Sequence, residues 1–410
     1  MSFSEWREVK LEDIIEIEMG QSPKSEFYNQ TGEGLPFLQG NRTFGDKYPY
    51  FDTYCTENKK IANKNDVIMS VRAPVGDLNI AQTQISLGRG VCAMRLKGEQ
   101  NSNYLFYLMK HNIKEMINRE SGTVFGSVNK KDILGLDVKI TNNKLEQKAI
   151  AHILSTLDDK IEVNNQINKT LENMAQAIFK QWFVDFEFPN EEGEPYKSSG
   201  GEMIDSELGM IPKGWEVSNL NKIAFYLNGL PMQKFRAKDD ESDIPVMKIK
   251  ELRQGNTDEN SERCSSFIEK DYIINDGDII FSWSGSLLVD IWCGGICGLN
   301  QHLFKVYSVN YDKWFYYLWT VYHLDKFIQI AQSKATTMGH IKREDLENAK
   351  VIIPNDYLYN LASDVLGPIF DSIIVNRIES REIKSLRDTL LPKLMSGEIR
   401  VPLNESGDEQ

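Results

Sequence analysis

Residues 6–20, WREVKLEDIIEIEMG, return as residues 215–229, WEVSNLNKIAFYLNG, and this repeat decides the architecture. Trp6, Leu11, Ile14 and Gly20 match Trp215, Leu220, Ile223 and Gly229 at a spacing of roughly 210 residues. The register holds outward from there. Leu35-Pro36-Phe37-Leu38 reappears as Ile244-Pro245-Val246-Met247, and Asp66-Val67-Ile68-Met69-Ser70 as Asp278-Ile279-Ile280-Phe281-Ser282. Gly126, Asp132 and Val138 return as Gly339, Asp345 and Val351, and Asp159, Val163 and Asn164 as Asp371, Val375 and Asn376. Two copies of one module lie in tandem, and a duplicated module points to a duplicated task.

Within each copy, short apolar runs bounded by turn residues read as buried strands. Val67 to Val71 before Ala73-Pro74 and Ile279 to Trp283 before Gly285 are examples. Apolar residues spaced by three and four predict helices at Tyr104 to Arg119 and Trp314 to Gln332. Each module, residues 1–143 and 212–354, is followed by a long helical pattern, residues 144–186 and 355–397. Such a helix would be on the order of 60 Å long, far more than one globular domain needs. In the first, Ile150, Leu157, Leu171 and Ile178 share a heptad position with Asn164, and Ile153, Ile167 and Met174 fall three residues after members of that series. In the second, Ile369, Asn376, Ile383 and Leu390 form the matching series, and Pro368 predicts a kink or a break. A polar residue at a core position fixes register, so Asn164 and Asn376 are expected to meet where the helices pair. Residues 187–211, polar, acidic and rich in Gly, read as a linker, and residues 398–410 as an acidic tail. The expected fold is α+β. Two tandem α/β modules would be joined by two long helices paired as an antiparallel coiled coil with pseudo-two-fold symmetry.

The chain has 410 residues, 41% of them hydrophobic and 26% charged, as in an ordinary globular protein. The N-terminus lacks a signal-peptide pattern, and the apolar stretch Ile279 to Leu299 is interrupted by Asp290. A cytoplasmic protein with no membrane contact is expected. Five cysteines without framework spacing fit reduced thiols. The net charge of -13 argues against a nucleic-acid partner at first sight. Much of that charge sits in residues 187–207 and 398–409, whereas Arg42 to Lys131 is richer in Lys and Arg than in Asp and Glu. A basic face on an acidic chain is compatible with this distribution.

Catalytic signatures are missing. There is no phosphate-binding Gly-x-x-x-x-Gly-Lys-Ser/Thr loop, no dinucleotide fingerprint and no Pro-Pro pair of the kind adenine methyltransferases place beside a flipped base. Cys293, Cys297 and His302 mimic metal-ligand spacing but supply too few ligands for a closed zinc site. Ser282-Trp283-Ser284-Gly285-Ser286 lacks the first Gly of a nucleophile elbow. No catalytic residue, resident cofactor or metal is therefore assigned.

What remains are loops of amide, hydroxyl, basic and aromatic residues. In the first copy these are Gln21, Ser22, Gln39, Arg42, Arg72, Arg89, Thr123, Ser127, Asn129 and Lys130. In the second they are Gln233, Lys234, Lys248, Trp283, Ser284, Asn300, Gln301, His302, Lys334, Thr336, Thr337, His340 and Lys342. Arg suits guanine edges, Asn and Gln suit adenine edges, and Lys, Ser and Thr anchor phosphates. The framework agrees between the copies while these loops differ, as expected for two different readouts on one scaffold.

Over essentially its whole length the chain resembles the DNA specificity subunits of type I restriction-modification enzymes. The resemblance is carried by Gln181-Trp182-Phe183-Val184-Asp185-Phe186, by Pro195-Tyr196-Lys197, by Ile211-Pro212-Lys213-Gly214-Trp215 and by Leu391-Pro392-Lys393-Leu394-Met395-Ser396-Gly397-Glu398-Ile399. Ser70-Val71-Arg72-Ala73-Pro74-Val75-Gly76-Asp77 and Asn300-Gln301-His302 add to it. It implies that each module is a target recognition domain for one half of a bipartite, asymmetric site in double-stranded DNA. The half-site centres would lie about one helical turn, roughly 34 Å, apart. It further implies that the helices dock two modification subunits, which bind S-adenosylmethionine and methylate adenine. Two restriction subunits would add ATP- and Mg-dependent translocation and cleavage. The chain itself would be non-catalytic.

Overall fold

A computed structural model describes residues 6–98, 101–118, 126–333 and 339–402. The chain forms two compact units, Met1–Val163 with Glu382–Gln410, and Asn164–Arg381. Each unit therefore holds one sequence module, part of the helix that follows it and part of the other long helix.

In the first unit, Ile15–Met19, Val91–Leu96, Val67–Ser70 and Leu78–Ile80 form, in that order, an antiparallel four-stranded sheet. A second sheet runs Tyr28–Asn29, Tyr54–Cys55, Leu35–Leu38, Ile85–Leu87, Ile61–Ala62, with Phe37 and Leu38 parallel to Ser86 and Leu87. The second unit repeats the first order with Phe225–Asn228, Leu303–Tyr307, Ile279–Ser282 and Leu288–Ile291. Its other sheet also pairs strands in parallel, Val246 and Met247 beside Gly298 and Leu299.

Strand residues alternate between faces, and here both faces are covered. Val67 and Met69 join a core with Tyr104, Leu108 and Ile150, while Ile68 joins a separate core with Leu38, Ile85 and Leu87. Ile279 and Phe281 likewise pack on one side with Trp314 and Phe327, and Ile280 on the other with Met247 and Trp292. This two-sided burial explains the uninterrupted apolar runs. Burying a side chain such as Phe281 contributes about 1.5–3 kcal/mol.

The predicted helix at Tyr104 to Arg119 is Ser102–Asn118. The one at Trp314 to Gln332 is two helices, Lys313–Tyr322 and Leu324–Ser333, separated at His323. At that break the His323 imidazole donates Nε2–H to the Lys350 carbonyl at 2.7 Å.

The central helix spans Lys144–Phe179 and closes with a π turn, Lys180–Val184. Phe183, Phe186 and Phe188 then surround Trp215, with ring centroids 5.2–5.8 Å apart. The C-terminal helix, Asp356–Ser396, runs through Pro368 without the expected break. Pro removes one hydrogen-bond donor there, one turn after the exposed Asp364. This helix is also long and apolar enough to cross a membrane by length and composition. However, it carries Arg377, Arg381 and Arg387 into ion pairs with Asp290, Asp276 and Asp158.

The buried seam of the central helix keeps Ile150 and Asn164 of the expected series but departs from its second series. Leu154, Ile161, Asn168 and Ala175, seven apart, are buried, whereas Ile167 and Met174 are 43% and 48% exposed. At Asn168 and Ala175 a polar and a small residue occupy that line, and an apolar count passes over them. The asparagine contact is also rearranged. Asn164 Nδ2 donates to Glu379 Oε2 at 2.8 Å and to the Asn376 backbone oxygen at 3.4 Å. The side-chain pair is instead Asn376 Nδ2 to Asn168 Oδ1, at 2.9 Å. Leu171, Ile178, Ile383 and Leu390 are half-buried flanks of the seam.

The expected linker is structured. Met203–Ser206 and Gly209–Pro212 form a β-hairpin, and the Asn190 side chain closes a turn by accepting from the Glu192 and Glu194 amides, each at 2.9 Å. Its many Gly and acidic residues serve turns rather than an extended tether.

Candidate nucleic-acid interface

In the first module, Ser22 joins two loops. Its hydroxyl donates to Gln39 Oε1 at 3.0 Å and accepts from the Arg89 amide at 3.1 Å. Around it lies a groove of about 470 Å³, lined by Ser22, Tyr28, Phe37, Gln39, Arg42 and Arg89. Tyr28 and Phe37 stack at 4.5 Å to form its floor, a pairing across strands that the sequence alone does not single out. Burial pushes the Tyr28 phenol up. Beside the groove, the Ser70–Asp77 turn is closed by the Ser70 hydroxyl, which donates to the Pro74 oxygen at 2.8 Å and accepts from the Asp77 amide at 2.9 Å. Arg72 pairs across from Ser127 through the backbone, and its side chain is exposed.

In the second module the equivalent turns carry different chemistry. Trp283 stacks on Phe304 at 5.7 Å, meets His340 edge-on at 6.3 Å and donates Nε1–H to Asn228 Oδ1 at 2.9 Å. Ser284 Oγ lies 3.2 Å from His302 Nδ1, and Gln301 Nε2 lies 3.4 Å from His302 Nε2. Asn300 is buried, and its side-chain oxygen accepts from the His302 amide at 3.2 Å. Trp283, Ser284, Asn300, Gln301, His302 and His340 thus form one cluster.

The two clusters hang on the same backbone bonds. Gly20 and Gln21 donate to Val91 and Leu87 at 3.0 and 2.9 Å; Gly229 and Leu230 donate to Leu303 and Leu299 at the same distances. A Cβ on Gly20 would lie 2.0 Å from the Gly88 oxygen, and one on Gly229 would lie 2.3 Å from the Asn300 oxygen, so the repeated glycine permits this close approach. Ala73 donates to Gly126 and Val128 to Val71, as Gly285 donates to Gly339 and Ile341 to Trp283. These bonds make Arg72 equivalent to Ser284, Ser127 to His340, Arg89 to Gln301 and Gly90 to His302.

Not every candidate side chain is free to meet a ligand. Arg42 forms a bidentate pair with Asp52 at 2.7 and 2.8 Å, which holds the Asp52 carboxyl below its ordinary range. Lys248 pairs with Glu262. Asn129 caps the helix Lys130–Leu134, accepting from the Lys131 and Asp132 amides. Gln21, Lys130, Gln233, Lys234 and Lys342 are exposed. Thr123, Lys334, Thr336 and Thr337 lie outside the described residues. Cys293 and Cys297 are buried, with burial pushing the Cys293 thiol up to about 11, and among the described residues no His, Cys, Asp and Glu group is arranged to hold a metal.

The model of the type I restriction modification DNA specificity domain matches twice, over residues 3–173 and 212–379. The chain is similar to the type I restriction enzyme MjaIX specificity subunit of Methanocaldococcus jannaschii, 30% identical over 97% of this chain and 94% of the relative. It also resembles the HindI specificity subunit of Haemophilus influenzae, 24% identical over 97% of this chain and 100% of the relative. In fold it is similar to the crystal structure of a type I restriction-modification S subunit from M. genitalium, with TM-score 0.57, 16% identity and 96% of each chain covered. With both modules matched by one domain model and a relative aligned along nearly the whole chain, this protein belongs to the type I restriction-modification DNA specificity family.

Proposed function

We propose that the chain is a non-catalytic, sequence-specific DNA-binding subunit that recognises a bipartite, asymmetric site in double-stranded DNA, one half with each module. The observation that carries this reading is the matched pair of clusters: one hydrogen-bonded framework, with Arg72, Ser127 and Arg89 in one copy and Ser284, His340 and Gln301 in the other. A shared frame carrying different donors and acceptors suits two different base sequences. Phosphate anchoring would come from Lys130, Lys234 and Lys342, which are exposed beside those turns.

Adenine methylation and DNA cleavage would then belong to partner subunits: two modification subunits using S-adenosylmethionine, and two restriction subunits using ATP and Mg. Ile167 and Met174, one heptad apart and exposed on the central helix, suit the modification subunits as an apolar contact. The assembly would work in the cytoplasm, where free buried thiols stay reduced. Because the net charge is -13, strong DNA affinity is expected of the assembly rather than of the isolated chain. The test is an exchange of the turn residues at positions 283–286 and 300–302 for those of a relative with a different site, followed by selection of bound duplexes. A change confined to one half of the selected site is expected; a change in both halves contradicts independent modules.

A further inference from the structure

We propose that Arg89 and Gln301, which occupy one backbone position in two copies of the same turn, read bases: Arg89 reads guanine and Gln301 reads adenine. The inference rests on the DNA-reading function above and adds which base each residue selects.

The turn carrying Arg89 is rigid. Three consecutive amides are tied down: Gly88 donates to the Leu38 oxygen at 2.8 Å, Arg89 to Ser22 Oγ at 3.1 Å and Gly90 to the Gln39 oxygen at 3.0 Å. A Cβ on Gly90 would lie 2.3 Å from that same Gln39 oxygen, so the turn lies flat against its neighbour. The guanidinium is the part left over. It is exposed on the rim of the groove and makes no hydrogen bond or ion pair with another described residue. Arg42 and Arg95, by contrast, are paired with Asp52 and Asp66. An unpaired planar fork on a fixed base is suited to two parallel hydrogen bonds to guanine O6 and N7.

In the second module the turn is held at two of the three equivalent amides. Asn300 donates to the Met247 oxygen at 3.3 Å, Leu303 donates to the Asn300 oxygen at 3.0 Å, and the Asn300 side chain holds the His302 amide. Gln301 Nε2 leans on His302 Nε2, and His302 is steadied by Ser284. The Gln301 amide oxygen has no partner among the described residues. An oriented amide offering one acceptor and one donor matches adenine N6 and N7.

The test uses the chain assembled with its modification subunits. Duplexes bound from a random library are sequenced, and methylated adenines are mapped in the same preparation. If the unsubstituted assembly selects no bipartite motif, the DNA-reading function itself fails. With the motif in hand, Arg89→Gln and Arg89→Lys should each lower the preference for guanine at one position of one half-site by about tenfold, leaving the other half unchanged. Arg89→Lys keeps the charge and loses only the fork, so it separates base reading from phosphate anchoring. Gln301→Arg should convert an adenine preference in the opposite half to guanine. An unchanged motif in all three variants overturns the proposal. So does an Arg89→Lys assembly that behaves as unsubstituted while Arg89→Gln weakens every sequence equally.

Discussion

Buried Arg387 shows what a single charge does in this fold. Its guanidinium is 6% exposed and pairs with Asp158, 7% exposed, which also accepts from the Tyr107 hydroxyl at 2.5 Å. Removing one partner of such a pair leaves an uncompensated buried charge. Arg387→Met is therefore expected to destabilise the first unit by about 3–5 kcal/mol in urea unfolding, and the double variant Asp158→Asn with Arg387→Met to recover part of that loss. Arg42→Met, which breaks a surface pair with Asp52, should leave the melting temperature unchanged. His323 gives a pH dependence. Burial holds its imidazole below the ordinary histidine value despite the bond to Lys350. The unfolded chain then binds the proton more readily, so stability is full above about pH 6.5 and falls as the pH drops below it. Protection factors over residues 313–333, corrected for the intrinsic pH dependence of amide exchange, should fall between pH 7.5 and 5.5, and His323→Gln should remove that part of the change. The sequence shows Arg42 and Arg89 as equally basic loop residues. Only folding reveals that Asp52 pairs with one, while the guanidinium of the other has no hydrogen-bond or ion-pair partner among the described residues.

At the scale of elements, the repeat made the strands legible, because Val67–Ser70 and Ile279–Ser282 are apolar on both faces and recur in register. The helices were legible in length and only in part in face: Ile150 and Asn164 of the expected series are buried, and its second series is not. A heptad count of apolar residues runs through Ile167 and Met174, whereas the contact line holds Asn168 and Ala175, where a polar pair and a small side chain sit between the helices. The same offset leaves Ile167 and Met174 in water without a packing role. Ile167→Glu with Met174→Glu is accordingly expected to preserve the fold, read as an unchanged melting temperature, and to weaken capture of modification subunits by at least tenfold in titrated co-purification. An unchanged capture would move the docking surface elsewhere. The turn that holds Gln39 against Gly90 was not legible, since its bonds join residues fifty apart in the chain.

For the molecule as a whole, function follows from what the two modules share and where they differ. Gly20 and Gly229, the parallel strand pairs and the bonds that close each turn build one frame twice. Arg72, Arg89 and Ser127 against Ser284, Gln301 and His340 give each frame its own set of donors and acceptors. The net charge alone pointed away from DNA, because the acidic hairpin region and tail outweigh the few exposed cations beside the reading turns. The most direct test of a two-module reader is methylome sequencing of DNA from cells carrying the modification partner, with and without this chain. A bipartite adenine-methylated motif that vanishes with the chain is the predicted result; an identical methylation pattern in both cells would contradict it.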